Sequence, residues 1–369
     1  MPVPCRYINI VLNRAHASYY PGQDVCGVVN VDVVSEGTVN DISAVFNGSC
    51  MVYYSCKDGN TEKVNKKSET YFEEKIIIWP PKDKSEDKIA LGSGTQSLPF
   101  QFKLPENIPS SIESPEGYVR YSVSAELNEK DLTTKAVKIY FTVNAILDLN
   151  THPRAKQPSS VWTYRDVCCF CFAASPLSAV VHTPRRGYVP GECILLSAEI
   201  NNQDRRPVSY VKASLMQVVK YSHKNVTRKI KRVVGEVTRG CIMPHESQFW
   251  LEETILIPPV PASCLQYCNL MSVWYKVYFS LYQSEFHTTT LKLPVVIGTV
   301  PLKQYINTFE RGCGDAPLPG EDWPSPNHES CFFGPHNVVD SSGDAGTEQQ
   351  CSFTPLYITY PAIQDDVEL

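Results

Sequence analysis

The chain has 369 residues, of which 43% are hydrophobic, 11% aromatic and 20% charged, and a formal net charge of −5. That length accommodates two domains of roughly 150 residues, each able to bury a core without disulfide staples. The composition argues against nucleic acid as a partner, because no basic surface interleaved with stacking aromatics is evident, and no apolar run nears the ~20 residues that span a bilayer.

The opening Met1-Pro2-Val3-Pro4-Cys5 lacks the basic and apolar blocks of a secretory signal. A cytoplasmic protein with 14 reduced cysteines is therefore expected, and secretion with disulfides is the rival reading. The 20 Tyr and 14 Phe, with many Val, Ile and Thr, favour strands, and no long 3.6-residue apolar period points to helices. The fold class expected is all-β, with two antiparallel β-sandwiches followed by a tail.

In chain order, residues 1–150 form the first sandwich, with strands expected near 6–12, 24–34, 40–53, 70–79, 98–104, 117–127 and 134–145. Lys57 to Lys88 carries Lys-rich stretches that read as loops around the single strand Tyr71–Trp79. After Ile146-Leu147-Asp148-Leu149-Asn150 the alternation lapses, which makes 151–172 an interdomain linker. The second sandwich, 173–302, has strands expected near 177–183, 192–201, 208–221, 226–238, 247–257, 271–283 and 286–297.

The two halves echo each other. Tyr19-Tyr20-Pro21-Gly22 returns as Tyr188-Val189-Pro190-Gly191, and Pro-Gly is the signature of a type II turn. The alternating positions that follow correspond without a gap, Val25, Gly27, Val29 and Val31 matching Ile194, Leu196, Ala198 and Ile200. A one-residue slip would turn each strand's apolar set to the wrong face, so the shared register points to one fold used twice. A second echo pairs Ile108-Pro109-Ser110-Ser111 and Val119-Arg120-Tyr121 with Val260-Pro261-Ala262-Ser263 and Val273-Trp274-Tyr275.

From Lys303 to Leu369 there are 11 acidic residues against 2 basic ones. Residues 303–369 therefore read as a flexible acidic tail, largely disordered, that either docks on the mildly basic body or stays solvated. Two apolar islands interrupt it, Cys331-Phe332-Phe333 and Phe353 to Tyr360. The C-terminal Val367-Glu368-Leu369 has apolar residues where a peptide adding a strand to a PDZ edge has them, so Val367 and Leu369 are candidate partner-binding residues.

No catalytic, cofactor or metal site is expected. The eight His are scattered, and neither a nucleophile elbow nor a His-Glu-x-x-His run is present. Cys168, Cys169 and Cys171 form the densest thiol group, with Cys264 and Cys268 a loosely spaced second pair; packed thiols are favoured over zinc. Lys224, Arg228, Lys229, Lys231 and Arg232 crowd one hairpin of the second half as candidate binders of an anionic ligand, a phosphorylated tail or a lipid head group. The bland alternative is a solvated hairpin.

The motifs Tyr20-Pro21-Gly22, Glu116-Gly117-Tyr118-Val119-Arg120-Tyr121, Cys168-Cys169-Phe170-Cys171, Gly187-Tyr188-Val189-Pro190-Gly191-Glu192 and Pro294-Val295-Val296-Ile297-Gly298-Thr299-Val300-Pro301-Leu302 occur in order. In this the chain resembles the α-arrestins, the arrestin domain-containing proteins, over roughly residues 5–302. The resemblance implies arrestin N and C domains and a non-enzymatic adaptor, peripheral at the plasma membrane or endosomes. Such an adaptor binds membrane-protein cargo tails and links them to ubiquitination, endocytosis or protein transport. It also implies WW-domain HECT-type ubiquitin ligases as partners, recruited through Pro-Pro-x-Tyr. No Pro-Pro-x-Tyr occurs; the nearest element is Thr354-Pro355-Leu356-Tyr357, whose Thr loses ring packing and preorganisation. The alternatives are a regulatory binder of a thioredoxin-like redox protein and, more remotely, a retromer-like coat subunit.

Overall fold

A computed structural model describes residues 5–58, 61–80, 90–129, 132–164, 177–223, 226–284, 287–304, 326–339 and 350–360. The described chain is nearly all β. The first domain contains β1 (Cys5–Leu12), β2 (Ser18–Tyr19), β3 (Asp24–Val33), β4 (Gly37–Thr38), β5 (Asp41–Asp58), β6 (Thr61–Trp79), β7 (Ala90–Leu91), β8 (Gly94–Lys103), β9 (Ile112–Ser114), β10 (Gly117–Glu129) and β11 (Leu132–Val143). Sheet β1-β3-β8 faces sheet β2-β11-β10-β5-β6. The alternation of β3 places Val25, Val29, Val31 and Val33 in the core, opposite Phe46 and Tyr121 of the second sheet.

The second domain contains β12 (Ser159–Tyr164), β13 (Leu177–Thr183), β14 (Gly187–Tyr188), β15 (Cys193–Asn202), β16 (Tyr210–His223), β17 (Val226–Arg239), β18 (Glu246–Leu256), β19 (Met271–Ser284) and β20 (His287–Ile297). Its sheets run β12-β13-β15-β18 and β14-β20-β19-β16-β17. Along β15, Ile194, Leu196, Ala198 and Ile200 turn inward, as the matched register requires. Buried apolar residues of both sandwiches join in one connected core. No helix among the described residues is long and apolar enough to cross a membrane.

The duplication extends to individual hydrogen bonds. The Tyr121 hydroxyl donates to the Pro109 carbonyl at 2.7 Å, and the Tyr275 hydroxyl donates to the Pro261 carbonyl at 2.7 Å. Two residues beyond each proline a serine accepts from the last strand: Val143 N–H donates to Ser111 Oγ at 3.0 Å, and Ile297 N–H to Ser263 Oγ at 2.8 Å. The Pro-Gly turns agree as well. Gly22 and Gly191 have φ of 81° and 96°. The Tyr20 N–H donates to Gln23 Oε1 at 3.0 Å, and the Val189 N–H to Glu192 Oε2 at 2.8 Å. An arginine clamps each turn, Arg14 on Gln23 at 2.9 Å and Arg185 on Glu192 at 2.8 Å.

Three expectations need correction. The Lys-rich stretch after Lys57 belongs to a hairpin, β5 and β6 pairing from Ile42↔Trp79 out to Asp58↔Thr61. Asn65, Lys66, Lys67 and Ser68 of β6 are exposed in succession, so the alternation that marks a half-buried strand is lost there. Within the expected linker, residues 159–164 form β12, an edge strand paired with β13. Its Trp162 is 71% exposed, so one face follows no core pattern. The third concerns the tail. β21 (Asn327–Ser330) pairs with β24 (Leu356–Thr359), and β22 (His336–Val339) with β23 (Gln350–Phe353). Both apolar islands of the expected flexible tail thus lie in ordered, packed segments.

Candidate functional site in the groove between the domains

The domains meet along β9, β10 and β5 of the first and β16, β17 and the Cys264–Leu270 loop of the second. Here the sequence places polar groups that pair across the seam. Arg228 bridges to Glu116 at 2.6 Å, and the Ser114 and Tyr221 hydroxyls share a hydrogen bond. Glu113, 2% exposed, holds Arg120 through two bonds of 2.5 and 2.8 Å, which satisfies a carboxylate otherwise costly to bury. Burial pushes the Glu113 carboxyl up and the Arg120 bonds oppose it. Beside them the hinge closes, Leu147 N–H donating to Thr299 Oγ1 at 2.7 Å and Asp148 bridging to Val300.

The groove at this seam is filled by the chain's own residues 350–360. Leu356 N–H donates to Thr142 Oγ1 at 3.0 Å, and the Leu356 carbonyl accepts from Asn144 Nδ2 at 2.9 Å, both in the first domain. The Tyr357 ring is 2% exposed and its hydroxyl donates to the Ser111 carbonyl at 3.0 Å. The Tyr360 hydroxyl donates to the Thr299 carbonyl at 2.8 Å, and its N–H to the Pro190 carbonyl at 2.9 Å, both in the second domain. Ile358 and Tyr360 complete an apolar cluster with Tyr20, Leu149, Val189, Val300 and Leu302. This cluster is drawn from both domains, the hinge and the tail. The repeated turn has a local role here, because a Cβ on Gly191 would lie 2.1 Å from the Tyr360 carbonyl oxygen. Only glycine admits the segment at that corner.

The second island docks alongside. Phe332 N–H donates to the Pro259 carbonyl, and Cys331 N–H to the Pro355 carbonyl, both at 2.9 Å. Phe333 lies under the Arg232 guanidinium at 3.6 Å from ring centroid to Cζ. His328 stacks on His16 of the first domain at 5.9 Å. Burial, then the proximity of His16 and Arg14, holds His328 below the usual histidine range. His336 is lowered by burial and by Arg232 and Arg120.

The predicted site residues divide accordingly. Thr354, Pro355, Leu356 and Tyr357 belong to the docked segment, so the nearest approach to a ligase-recruiting motif is shut while the segment stays in place. Pro355 and Tyr357 are buried. Arg228 and Arg232 turn to the interdomain seam, whereas Lys229 and Lys231 lie over Trp274 and Tyr278 on another face of the domain. The described members of the basic set therefore form no single patch: β17 alternates, and neighbours in sequence point to opposite sides. Arg232 alone of them lines the groove. It donates to Gln217 Oε1 at 2.6 Å and to the Glu113 carbonyl at 3.3 Å, and burial lowers its pKa. Lys224, Val367, Leu369, Cys168, Cys169 and Cys171 lie outside the described residues. Sequence reasoning missed the receiving groups Ser111, Thr142, Asn144, Pro190 and Thr299; the two apolar islands were the visible signal for what they receive.

Comparison with known proteins adds independent evidence. The family described as "Arrestin (or S-antigen), N-terminal domain" matches residues 8–150, and "Arrestin (or S-antigen), C-terminal domain" matches residues 173–302. Arrestin domain-containing protein 17 of Caenorhabditis elegans is 26% identical over 306 residues, 79% of this chain and 70% of that protein. Arrestin domain-containing protein 1 of Rattus norvegicus is 28% identical over 356 residues, 94% and 78% of the two chains. The Homo sapiens protein of that name is 30% identical over 292 residues, 79% and 64%.

Proposed function

The chain belongs to the α-arrestin family, the arrestin domain-containing proteins, and from that premise we propose that it is a non-enzymatic adaptor for membrane-protein cargo. In this reading it works at the cytoplasmic face of the plasma membrane or endosomes and links cargo to ubiquitination, endocytosis or transport. The observation that carries the proposal is the groove between the two sandwiches, which accepts an extended aromatic peptide, its own residues 350–360. A cargo tail of similar character competes with that segment. Arg232, capped by Phe333, gives the uncovered groove a cation suited to an acidic or phosphorylated cargo tail.

Cargo binding and ligase recruitment are coupled in this scheme. Displacing residues 350–360 frees Tyr357 from its carbonyl partner, Ser111, and presents Thr354-Pro355-Leu356-Tyr357 to a WW domain. A ligand that binds only the open state shifts the equilibrium by its differential affinity, so cargo affinity carries the full cost of undocking. The test is turnover of the surface proteome in cells lacking the protein. Slower turnover of a defined set of receptors or transporters supports the adaptor; unchanged turnover across all surface proteins removes it.

A further inference from the structure

The seam between the domains also brings two cysteines together. Cys50 lies within β5, fully buried, and Cys268 lies half-buried in the loop that leads into β19. Their sulfurs are 3.8 Å apart although 218 positions separate them in sequence. The loop is pinned to the first domain, since the Asn269 backbone N–H and side-chain amide donate to the Glu69 carboxylate at 3.0 and 2.6 Å. The Met271 N–H donates to Cys268 Sγ at 3.3 Å.

The two sulfurs differ in character. The hydrogen bond shared with Cys50 holds the Cys268 thiol below the usual cysteine range against the opposing effect of burial, helped by the N–H groups of Met271 and Leu270. Cys50 is pushed upward, by Cys268 first and then by burial. One sulfur is a partly accessible nucleophile and the other a sheltered thiol within reach of it, which is the pairing of a peroxide-sensitive cysteine with a resolving cysteine.

We infer that Cys50 and Cys268 form a reversible disulfide across the domain seam, made by hydrogen peroxide or another small hydroperoxide. In the first step the Cys268 thiolate attacks a peroxide oxygen. An S–O bond forms, the O–O bond breaks, and hydroxide leaves to take up a proton as water. In the second step the Cys50 sulfur attacks the Cys268 sulfenic acid. The S–S bond forms, the S–O bond breaks, and a second water departs with the Cys50 proton. Two thiols and one peroxide give one disulfide and two waters, the sulfurs together losing two electrons. A dithiol reductant reverses the change by exchange. The bond ties β5 of the first domain to the loop entering β19 of the second, so oxidation fixes the two sandwiches relative to each other. The inference does not depend on the adaptor reading.

The experiment treats the reduced full chain with graded hydrogen peroxide and digests it without reductant for mass spectrometry. The expected result is a peptide linking Cys50 to Cys268 as the earliest intramolecular cross-link, lost on adding dithiothreitol. Thermal unfolding of the oxidised chain should move to higher temperature. Cys268→Ser should abolish both effects. Cys50→Ser should leave Cys268 as a sulfenic acid that dimedone captures. Because Cys50 is fully buried, circular dichroism checks that variant; if it fails to fold, the wild type and Cys268→Ser decide the matter. Thiols at both positions that stay alkylatable while other cysteines oxidise, or Cys268 pairing preferentially with another cysteine, would overturn the inference.

Discussion

Replacing Tyr360 with alanine tests whether the tail is held by the contacts described. Tyr360 is 0% exposed, its ring packs in the cluster with Tyr20, Val189, Val300 and Leu302, and its hydroxyl donates to the Thr299 carbonyl. Truncating a buried aromatic ring costs about 3–5 kcal/mol, and the net worth of the hydroxyl bond, about 1 kcal/mol, is part of that loss. At about 1.4 kcal/mol per decade the docking equilibrium should move at least ~100-fold toward the released state. Amide hydrogen exchange reads the effect directly, since the Leu356 and Tyr360 N–H groups are bonded to Thr142 Oγ1 and the Pro190 carbonyl. In Tyr360→Ala, protection over residues 350–360 should collapse while β10 and β19 keep theirs. Unprotected amides at 356 and 360 in the wild type would refute the reasoning, and so would equal loss of protection in the tail and in the body strands.

Docking should also weaken in acid. His328 and His336 are both lowered in the docked state, so the released tail binds protons more tightly; docking is undiminished above the ordinary value of 6.5 and declines as pH falls through it. Exchange of residues 350–360 measured between pH 7.5 and 5.5 checks this, and replacing both histidines with phenylalanine should flatten the profile. Tyr121→Phe and Tyr275→Phe should each destabilise by about 1–3 kcal/mol in denaturant unfolding, because each leaves a proline carbonyl without its hydroxyl donor. Glu192→Ala should cost about 3–5 kcal/mol by removing the carboxylate that pairs with the buried Arg185 guanidinium at this turn. Gln23→Ala at the matching turn removes a neutral acceptor and should cost only about 1 kcal/mol by the same measurement.

Much of the scaffold was legible because the duplicated halves share a register. The inward positions Val25, Val29 and Val31 and their partners Ile194, Ala198 and Ile200 carry a period of two wherever one face is buried. The reading failed at the consecutive exposed residues 65–68 of β6, and at the edge strand β12, where Ser159 is buried while the large Trp162 faces out. The seam was harder to read because it is assembled from distant positions. Nothing local to Ser111, Pro190 or Thr299 announces that each offers a carbonyl to a tyrosine of the tail or to its backbone. Cys50 and Cys268 illustrate the same limit, since their proximity follows from the domain arrangement alone. In the tail, composition favoured disorder, yet among the described residues Phe333, Phe353, Tyr357 and Tyr360 pack against the two domains. Low average hydrophobicity hid a short segment whose burial is supplied by the two finished domains.

Proximity labelling with three forms of the full chain tests whether cargo binding is coupled to release of the tail. The wild type, Tyr360→Ala and Tyr357→Ala differ in a defined way: both substitutions open the groove, but only Tyr360→Ala keeps the tyrosine of Thr354-Pro355-Leu356-Tyr357. More membrane-protein neighbours are expected for both variants than for the wild type, with WW-domain ligases gained by Tyr360→Ala and not by Tyr357→Ala. Identical neighbours for all three forms would contradict that coupling.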